Sequence, residues 1–221
     1  MRALIRSLIA EAVGTFALVF AGCGAIMVDA KTHALGHLGV AFSFGLVIMV
    51  MIYALGHISG AHFNAAVTFA FAMTRHFPWP RVAAYWAAQL TGALVGAALL
   101  RLSLGDVAHV GATLPSGSQG QSFLWELVLS FFLMLVVMAV ATDTRAVGEG
   151  AAIAIGGTIA LDALFGGPIS GASMNPIRSL APALVSGDFH ALWLYLLAPI
   201  AGTTLAGLAY QLLREEPRPA G

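Results

Sequence analysis

The sequence contains little charge. Of its 221 residues, 10 are Lys or Arg and 10 are Asp or Glu, so 9% are charged and 59% are hydrophobic. Soluble domains carry about 25% charged residues, and the composition therefore excludes a soluble globular protein. The formal net charge of zero provides no basic surface for phosphates, so we expect no nucleic acid among the partners. The lipid bilayer is the expected solvent.

Cysteine is almost absent too. The single cysteine, Cys23, excludes a disulfide within the chain and a cysteine cluster for zinc or iron and sulfur. We expect no cofactor, no metal site and no catalytic residue. The first apolar stretch follows Arg2 and Arg6 and runs to about residue 28. Because it is long enough to span a bilayer, we interpret it as a retained helix and not as a cleaved signal peptide.

Six apolar stretches are long enough to cross a bilayer. They cover about residues 4–28, 38–55, 81–103, 123–142, 149–166 and 191–213. Two shorter apolar segments, at about 64–74 and 175–185, each follow a turn rich in Gly, Ser and Asn. They are too short to cross, which predicts re-entrant half-helices. The segment of about 104–122 has no Lys or Arg and is interpreted as the linker between two halves.

Cationic residues predict the orientation. Seven lie on the side of the two termini, and these are Arg2, Arg6, Arg75, Arg81, Arg145, Arg214 and Arg218. Three are assigned to the other side, and these are Lys31, Arg101 and Arg178. Since positive charge accumulates in cytoplasmic loops, both termini are predicted in the cytoplasm. The compact termini, without an organellar presequence, favour a bacterial inner membrane.

The two halves repeat. Residues Ile58, Ser59, Gly60, Ala61 and Asn64 recur 111 positions later as Ile169, Ser170, Gly171, Ala172 and Asn175. Each half has three spans, an odd number, so the halves are inverted relative to each other in the membrane. Inverted repeats with interrupted helices place the functional path at the repeat interface near the bilayer midplane. We predict one transmembrane domain over residues 1–221, with repeats of about 1–110 and 115–221.

Asn64 and Asn175 stand where the half-helices begin. Asn is a favoured N-cap because its side-chain oxygen accepts from a backbone N–H two or three residues later, which leaves the amide NH2 free to donate. Two such donors at the midplane would bind a permeant oxygen, and two helix N-termini would repel cations there. For either Asn taken alone, capping of a buried turn is the alternative.

The motifs resemble a known family. SGAHFNAAV at 59–67 and SGASMNPIRS at 170–179 are similar to the paired signature loops of the aquaporin, or major intrinsic protein, family, and the resemblance covers nearly the whole chain. AGCGA at 21–25 and GPISGASMNP at 167–176 are most similar to nodulin-like members and their bacterial, aquaglyceroporin-type relatives. The resemblance implies an all-α membrane protein. It would be a right-handed bundle of six transmembrane helices and two re-entrant half-helices, assembled as a homotetramer with one pore per protomer.

The signatures depart from the family pattern of Asn-Pro-Ala in both loops. Here they read Asn64-Ala65-Ala66 and Asn175-Pro176-Ile177. Proline at the first helical position lacks an N–H that has no partner there anyway, whereas Ala65 restores that donor and constrains the turn less. Ile177 adds bulk and, if it faces the path, would narrow it.

The resemblance implies a four-residue selectivity filter at Phe44, Ala163, Ala172 and Arg178. Arg178 would bind a permeant oxygen and oppose cations. The fifth span has no histidine, whereas water-selective members of the family place one there, so the filter should be wide. An apolar wall beside one polar side suits glycerol, or a neutral hydroxide such as boric or arsenous acid. Asp162 is expected behind the filter.

Glu11 and Glu126 are buried acids at matching places in the two halves. The resemblance implies that they accept hydrogen bonds from the re-entrant loops, whose backbone donors need partners at that depth. The chemical alternative is a proton relay.

Together these features predict a channel and not an enzyme. Water and small uncharged solutes would pass in both directions down their gradients, with ions and protons excluded. One alternative is a water-selective channel. The others are an ion-coupled secondary transporter, which also uses inverted repeats, and a non-conducting structural homologue.

Overall fold

The structure, a computed structural model, describes residues 2–142 and 150–214. Eight helices of nine residues or more lie in these ranges. They are α1 (Arg2–Thr32), α2 (Gly36–Ser59), α3 (Ala65–Met73), α4 (Val82–Leu104), α5 (Gln119–Thr142), α6 (Ala151–Ser170), α7 (Pro176–Ser186) and α8 (Leu192–Leu213). A short 3₁₀ turn, Trp79–Arg81, leads into α4.

Six of these helices are long and apolar enough to cross a membrane, namely α1, α2, α4, α5, α6 and α8. The helices α3 and α7 have 9 and 11 residues, too few to cross. The prediction of an all-α protein with six spans and two half-helices is confirmed. The helix α1 runs four residues beyond the end of its predicted span, to Thr32, because hydropathy marks only the part of a helix within hydrocarbon.

Helix packing follows the repeat. The helix α1 packs along α4 as α5 packs along α8, and the equivalent helices α2 and α6 pack against each other. The half-helix α3 of the first half packs on α8 of the second, whereas α7 packs on α4 of the first. Each half therefore holds the half-helix of the other, and the two half-helices meet between the halves.

The outer surface is apolar, as expected of a protein in lipid. Large exposed hydrophobic side chains lie on every membrane-crossing helix, among them Ile9, Leu46, Leu99, Phe132, Leu161 and Leu205. The buried polar side chains instead lie inside the bundle, and several of them, among them Glu11, Gln89 and Glu126, bind the re-entrant loops or half-helices. The functional groups are therefore held away from lipid.

One assumption in the orientation count is wrong. Arg178 is only 2% exposed and lies in α7 inside the bundle, so it is not a loop charge, which leaves Lys31 and Arg101 on that side. Arg145 and Arg218, which the sequence predicts on the side of the termini, lie outside the described residues. The orientation with both termini in the cytoplasm stays a prediction.

Candidate functional site

Both half-helices begin at an asparagine with the same backbone geometry. Asn64 has φ −151° and ψ 125°, and Asn175 has φ −150° and ψ 111°. The side-chain oxygen of Asn64 accepts from the N–H of Ala66 at 2.9 Å, and that of Asn175 accepts from the N–H of Ile177 at 3.0 Å. Each asparagine is thus the N-cap of its half-helix.

The two asparagine amides also connect the halves. Nδ2 of Asn64 donates to the carbonyl oxygen of Met174 at 2.7 Å, and Nδ2 of Asn175 donates to that of Phe63 at 2.8 Å. The expectation that both N–H groups of each amide are free is therefore wrong. One N–H of each amide is used in the bond between the loops, and one remains for the cavity between them.

Glu11 is fully buried in α1 and faces the first loop. Its Oε1 accepts from the hydroxyl of Ser59 at 2.7 Å and from the N–H of His62 at 2.9 Å. Its Oε2 accepts from the N–H of Phe63 and the amide of Gln89, both at 2.8 Å. A single carboxylate thus satisfies two backbone donors that would otherwise be unpaired at membrane depth.

Glu126 occupies the equivalent place in α5 and is also fully buried. It accepts from the hydroxyl of Ser170 and from the N–H groups of Ser173 and Met174, each at 2.8 Å. The two re-entrant loops are therefore held by the same kind of contact on opposite sides of the bundle.

A cavity runs past both asparagines and leaves room for the centres of water-sized molecules over about 120 Å³. Its polar lining includes Asn64, Asn175 and Arg178. Much of the rest of its wall is apolar, and the residues there include Leu18, Ile48, Ile52, Val67, Leu133, Val137, Ile155 and Ile159. A path of this kind combines a few hydrogen-bonding groups with walls that do not bind water.

Phe44, Ala163, Ala172 and Arg178 all line this cavity. The guanidinium carbon of Arg178 lies 4.9 Å from the centre of the Phe44 ring. Its Nη1 donates to the carbonyl oxygen of Gly111 at 2.8 Å, and its Nε has no hydrogen-bond partner among the described residues. The guanidinium is thus held by two contacts, the Gly111 carbonyl and the Phe44 ring.

Gly111 is a functional contact that sequence reasoning missed. It ends a turn, Ala108–Gly111, whose four residues have positive φ values of 47°, 49°, 58° and 72°. This left-handed turn presents the Gly111 carbonyl to Arg178. The segment interpreted as a linker therefore also supports Arg178, and the only sequence signal for this contact is the glycine at 111, which tolerates positive φ.

Ile177 does not line the cavity. It is 6% exposed and packs in a cluster with Val19, Cys23, Ala97 and Val110. The condition for narrowing, that Ile177 faces the path, is not met. Ala65 lies in the same cluster, so the two altered signature positions are on the packing side of the half-helices.

Asp162 lies behind the cavity wall. It is 1% exposed and is not among the residues that line the cavity, whereas the next residue, Ala163, is. The alanine and not the acid therefore faces the cavity. The Oδ2 atom of Asp162 has no hydrogen-bond partner in the described part of the chain.

His62 also lines the cavity, beside Asn64. Its Nδ1 lies 3.0 Å from the hydroxyl of Thr68. Its ring packs against Phe71, Phe77 and Tyr85, with centroid distances of 4.9, 4.8 and 5.1 Å. The aromatic neighbours therefore hold the ring in place at the cavity wall.

Comparisons with known proteins agree with this architecture. The family model of the major intrinsic protein family matches residues 1–210. Aquaporin NIP1-1 of Oryza sativa subsp. japonica is 50% identical over 97% of this chain and 76% of its own length. Nodulin-26 of Glycine max is 47% identical over 97% of this chain and 80% of its own length, which confirms the resemblance to nodulin-like members.

A solved structure shows the same fold. The X-ray structure of the aquaglyceroporin from Plasmodium falciparum superposes with a TM-score of 0.82 at 27% identity, over 94% of this chain and 95% of the other. Together, the family model and the relatives show that the chain belongs to the major intrinsic protein family, whose aquaporin members are channels and not enzymes.

Proposed function

We propose that this protein is a passive, bidirectional channel for water and small uncharged solutes, glycerol among them, which excludes ions and protons. The observation that carries the proposal is the pair of asparagine amides that each bond to the opposite loop and keep one N–H for the path. A channel of this kind catalyses no reaction and needs no cofactor.

The midplane acts through hydrogen-bond direction. A water molecule or hydroxyl oxygen between Asn64 and Asn175 accepts from the remaining amide N–H groups, so its own hydrogens point away from the midplane. A chain of waters that reverses direction at this point cannot pass a proton along it. The two helix N-termini add partial positive charge, which disfavours cations.

The filter combines one polar and one apolar side. Arg178 lines the cavity, and a guanidinium N–H that is not used by Gly111 donates to a solute oxygen. The Phe44 ring and the methyl groups of Ala163 and Ala172 contact the carbon side of the solute. Two alanines leave more width than a histidine would. These features support passage of glycerol, and of compact neutral hydroxides such as boric or arsenous acid.

The fixed charge of Arg178 opposes cations at the filter. The side chain is buried and is held by the Gly111 carbonyl and the Phe44 ring. A cation over an aromatic face gains about 0.5–2 kcal/mol, so the guanidinium stays in place when no solute is bound. A second positive charge in the same narrow space would be strongly repelled, because little water is present to screen it.

The alternatives have less support. An ion-coupled transporter needs a free coupling group on the path, but Glu11 and Glu126 are engaged by their loops and Asp162 lies behind the wall. A non-conducting homologue would need a blocked path, and Ile177 is turned away from it. Water selectivity would need a narrower filter than two alanines provide.

We also propose a homotetramer with one pore per protomer, in a bacterial inner membrane with both termini in the cytoplasm. The family resemblance supports the tetramer, and the excess of Arg on the side of the termini supports the orientation. Crosslinking in native membranes tests the tetramer, and protease access to tagged termini in sealed vesicles tests the orientation.

The decisive experiment is stopped-flow light scattering on proteoliposomes with water, glycerol and boric acid. Wild type should pass glycerol above empty liposomes. Ala163→His should suppress glycerol while sparing water, and Arg178→Ala should weaken the exclusion of cations. Leu161→Phe, which adds bulk at a lipid-facing position of the same helix, is the matched control and should behave as wild type. A wild type that passes only water, or nothing, contradicts the wide filter.

A further inference from the structure

The carbonyl oxygen of Leu164 lacks its usual helical partner. In an α-helix this oxygen accepts from the N–H four residues later, and that residue is Pro168, which lies inside α6 and has no N–H. The carbonyl therefore needs another donor. Leu164 directly follows Ala163, one of the four proposed filter residues.

His37 supplies that donor from another helix. Its Nε2 lies 2.6 Å from the carbonyl oxygen of Leu164. Because a carbonyl oxygen only accepts, Nε2 must carry the hydrogen. The ring also lies against the next turn of α6, since a Cβ atom on Gly167 would be 2.8 Å from Cε1 of His37.

The bond joins α2 to α6 above the filter. His37 is the second residue of α2, and Phe44 lies seven residues, about two helical turns, further along. Such a spacing places the two side chains on the same face of α2. His37 also lines the mouth of the channel together with Phe44, Ala163 and Ala172.

A second contact joins the same two helices on the other side of the filter. A Cβ atom on Gly156 would lie only 2.6 Å from the carbonyl oxygen of Gly45, so the two backbones touch. The two contacts are eight residues apart on each helix, from His37 to Gly45 on α2 and from Gly156 to Leu164 on α6. Phe44 and Ala163 therefore lie between two fixed points that are equally spaced on both helices.

We propose that His37 is a positioning residue of the filter. Its bond to Leu164 closes the upper of the two contacts and fixes the separation between Phe44 on α2 and Ala163 on α6, which sets the largest solute that passes. This inference rests on the filter proposed above. His37 does not bind the solute in this role; it acts through the backbone of α6.

His37 suits a test by substitution because its side chain is exposed at the channel mouth and its removal leaves no hole in the core. In proteoliposomes, His37→Ala should raise the erythritol-to-water permeability ratio about two- to tenfold, the range that one hydrogen bond controls. His37→Gln, whose amide can donate to the same carbonyl, should stay near wild type. His190→Ala removes an exposed histidine elsewhere and is the matched control.

A substitution at Pro168 tests whether the effect of His37 depends on its hydrogen bond to Leu164. Pro168→Ala restores an N–H that can donate to Leu164 within α6, so the carbonyl no longer depends on His37. The double variant His37→Ala/Pro168→Ala should therefore return the permeability ratio to that of Pro168→Ala alone. A merely structural effect of losing the imidazole would not be reversed by a donor added on another helix.

Two outcomes separate this inference from the proposed function. The role of His37 is overturned if His37→Ala leaves the erythritol-to-water permeability ratio unchanged, or if the double variant shows the same altered ratio as His37→Ala. In either case, a loss of glycerol permeability in Ala163→His would still support the proposed filter. If wild type passes no glycerol, or Ala163→His has no effect, the filter itself is wrong and the inference falls with it.

Discussion

The guanidinium of Arg178 lies over the ring of Phe44, with 4.9 Å between its central carbon and the ring centroid. The two residues come from α7 and α2, which belong to opposite halves of the chain. The Gly111 carbonyl, from the segment between the halves, accepts a hydrogen bond from the same guanidinium. The proposed filter is thus assembled before a solute arrives, and a solute does not have to order it.

The position of Phe44 depends on a glycine in α1. A Cβ atom at Gly22 would overlap the Phe44 ring, so Gly22→Ala should push the ring towards Arg178 and into the path. We expect glycerol permeability to fall about tenfold or more, the scale of about 1–3 kcal/mol of overpacking. Stopped-flow light scattering on proteoliposomes measures it.

Gly24 provides the matched control on the same helix. A Cβ atom there would meet only the end of the flexible Leu100 side chain, at 3.1 Å. Gly24→Ala should therefore keep the glycerol permeability of wild type. Equal losses in the two variants would mean that α1 tolerates no added methyl group, and the specific link between Gly22 and Phe44 would be refuted.

Much of the architecture could be predicted because its signals are local. Hydropathy marks the six spans, and the repeated Ser-Gly-Ala and Asn pattern marks both half-helices. The acids Glu11 and Glu126 could be placed through their equivalent positions in the family resemblance. Each of these features depends on residues that are close in sequence or on a motif, and none of them depends on how the two halves contact each other.

The remaining features depend on distances that the sequence does not contain. The amide of Asn64 bonds to Met174, 110 residues away, and His37 bonds to Leu164, 127 residues away. Gly111 meets Arg178 only because an irregular turn reverses its backbone. The sequence also does not show which way the Ile177 side chain points. On a short half-helix, neighbouring residues point in different directions, so a shift of one residue decides whether a side chain packs inside the bundle or faces the path.

The stability of the protein should depend on the charge of Glu126, which binds the second re-entrant loop. Glu126→Gln replaces one accepting oxygen by an NH2 group, which then faces the backbone N–H of either Ser173 or Met174, since each N–H donates to a different oxygen of Glu126. A buried donor left unpaired costs about 1–3 kcal/mol, so we expect a clearly lower unfolding temperature in detergent. An unfolding temperature equal to that of wild type would show that the loop does not depend on this carboxylate.

Asp162 provides the contrasting case among the buried acids. Its Oδ2 accepts no hydrogen bond from the described residues, and the residue lies behind the cavity wall. Asp162→Asn should therefore leave glycerol permeability unchanged, and the unfolding temperature should not fall as it does in Glu126→Gln. The transporter alternative would be supported if this variant lost solute flux, or if solute flux through wild type depended on an ion gradient.

The first signature should accept the proline that the family pattern has. Ala65 is the first residue of α3, where proline fits, and the preceding Asn64 has the extended backbone, φ −151° and ψ 125°, that a following proline requires. Ala65→Pro should keep solute flux and stabilise the fold by about 0.4–1 kcal/mol, because proline restricts the unfolded chain. Thermal unfolding in detergent, beside the flux assay, measures both effects.

Proline at the next position, that of Ala66, should instead destabilise the protein. The N–H of Ala66 donates to the side chain of Asn64 at 2.9 Å, and proline would remove this capping bond and clash with the helical backbone of Ala65. Ala66→Pro should therefore lower the unfolding temperature and reduce flux, since Asn64 also holds the opposite loop through Met174. If both proline variants behaved alike, the cap at Asn64 would not be what orients its amide towards the path.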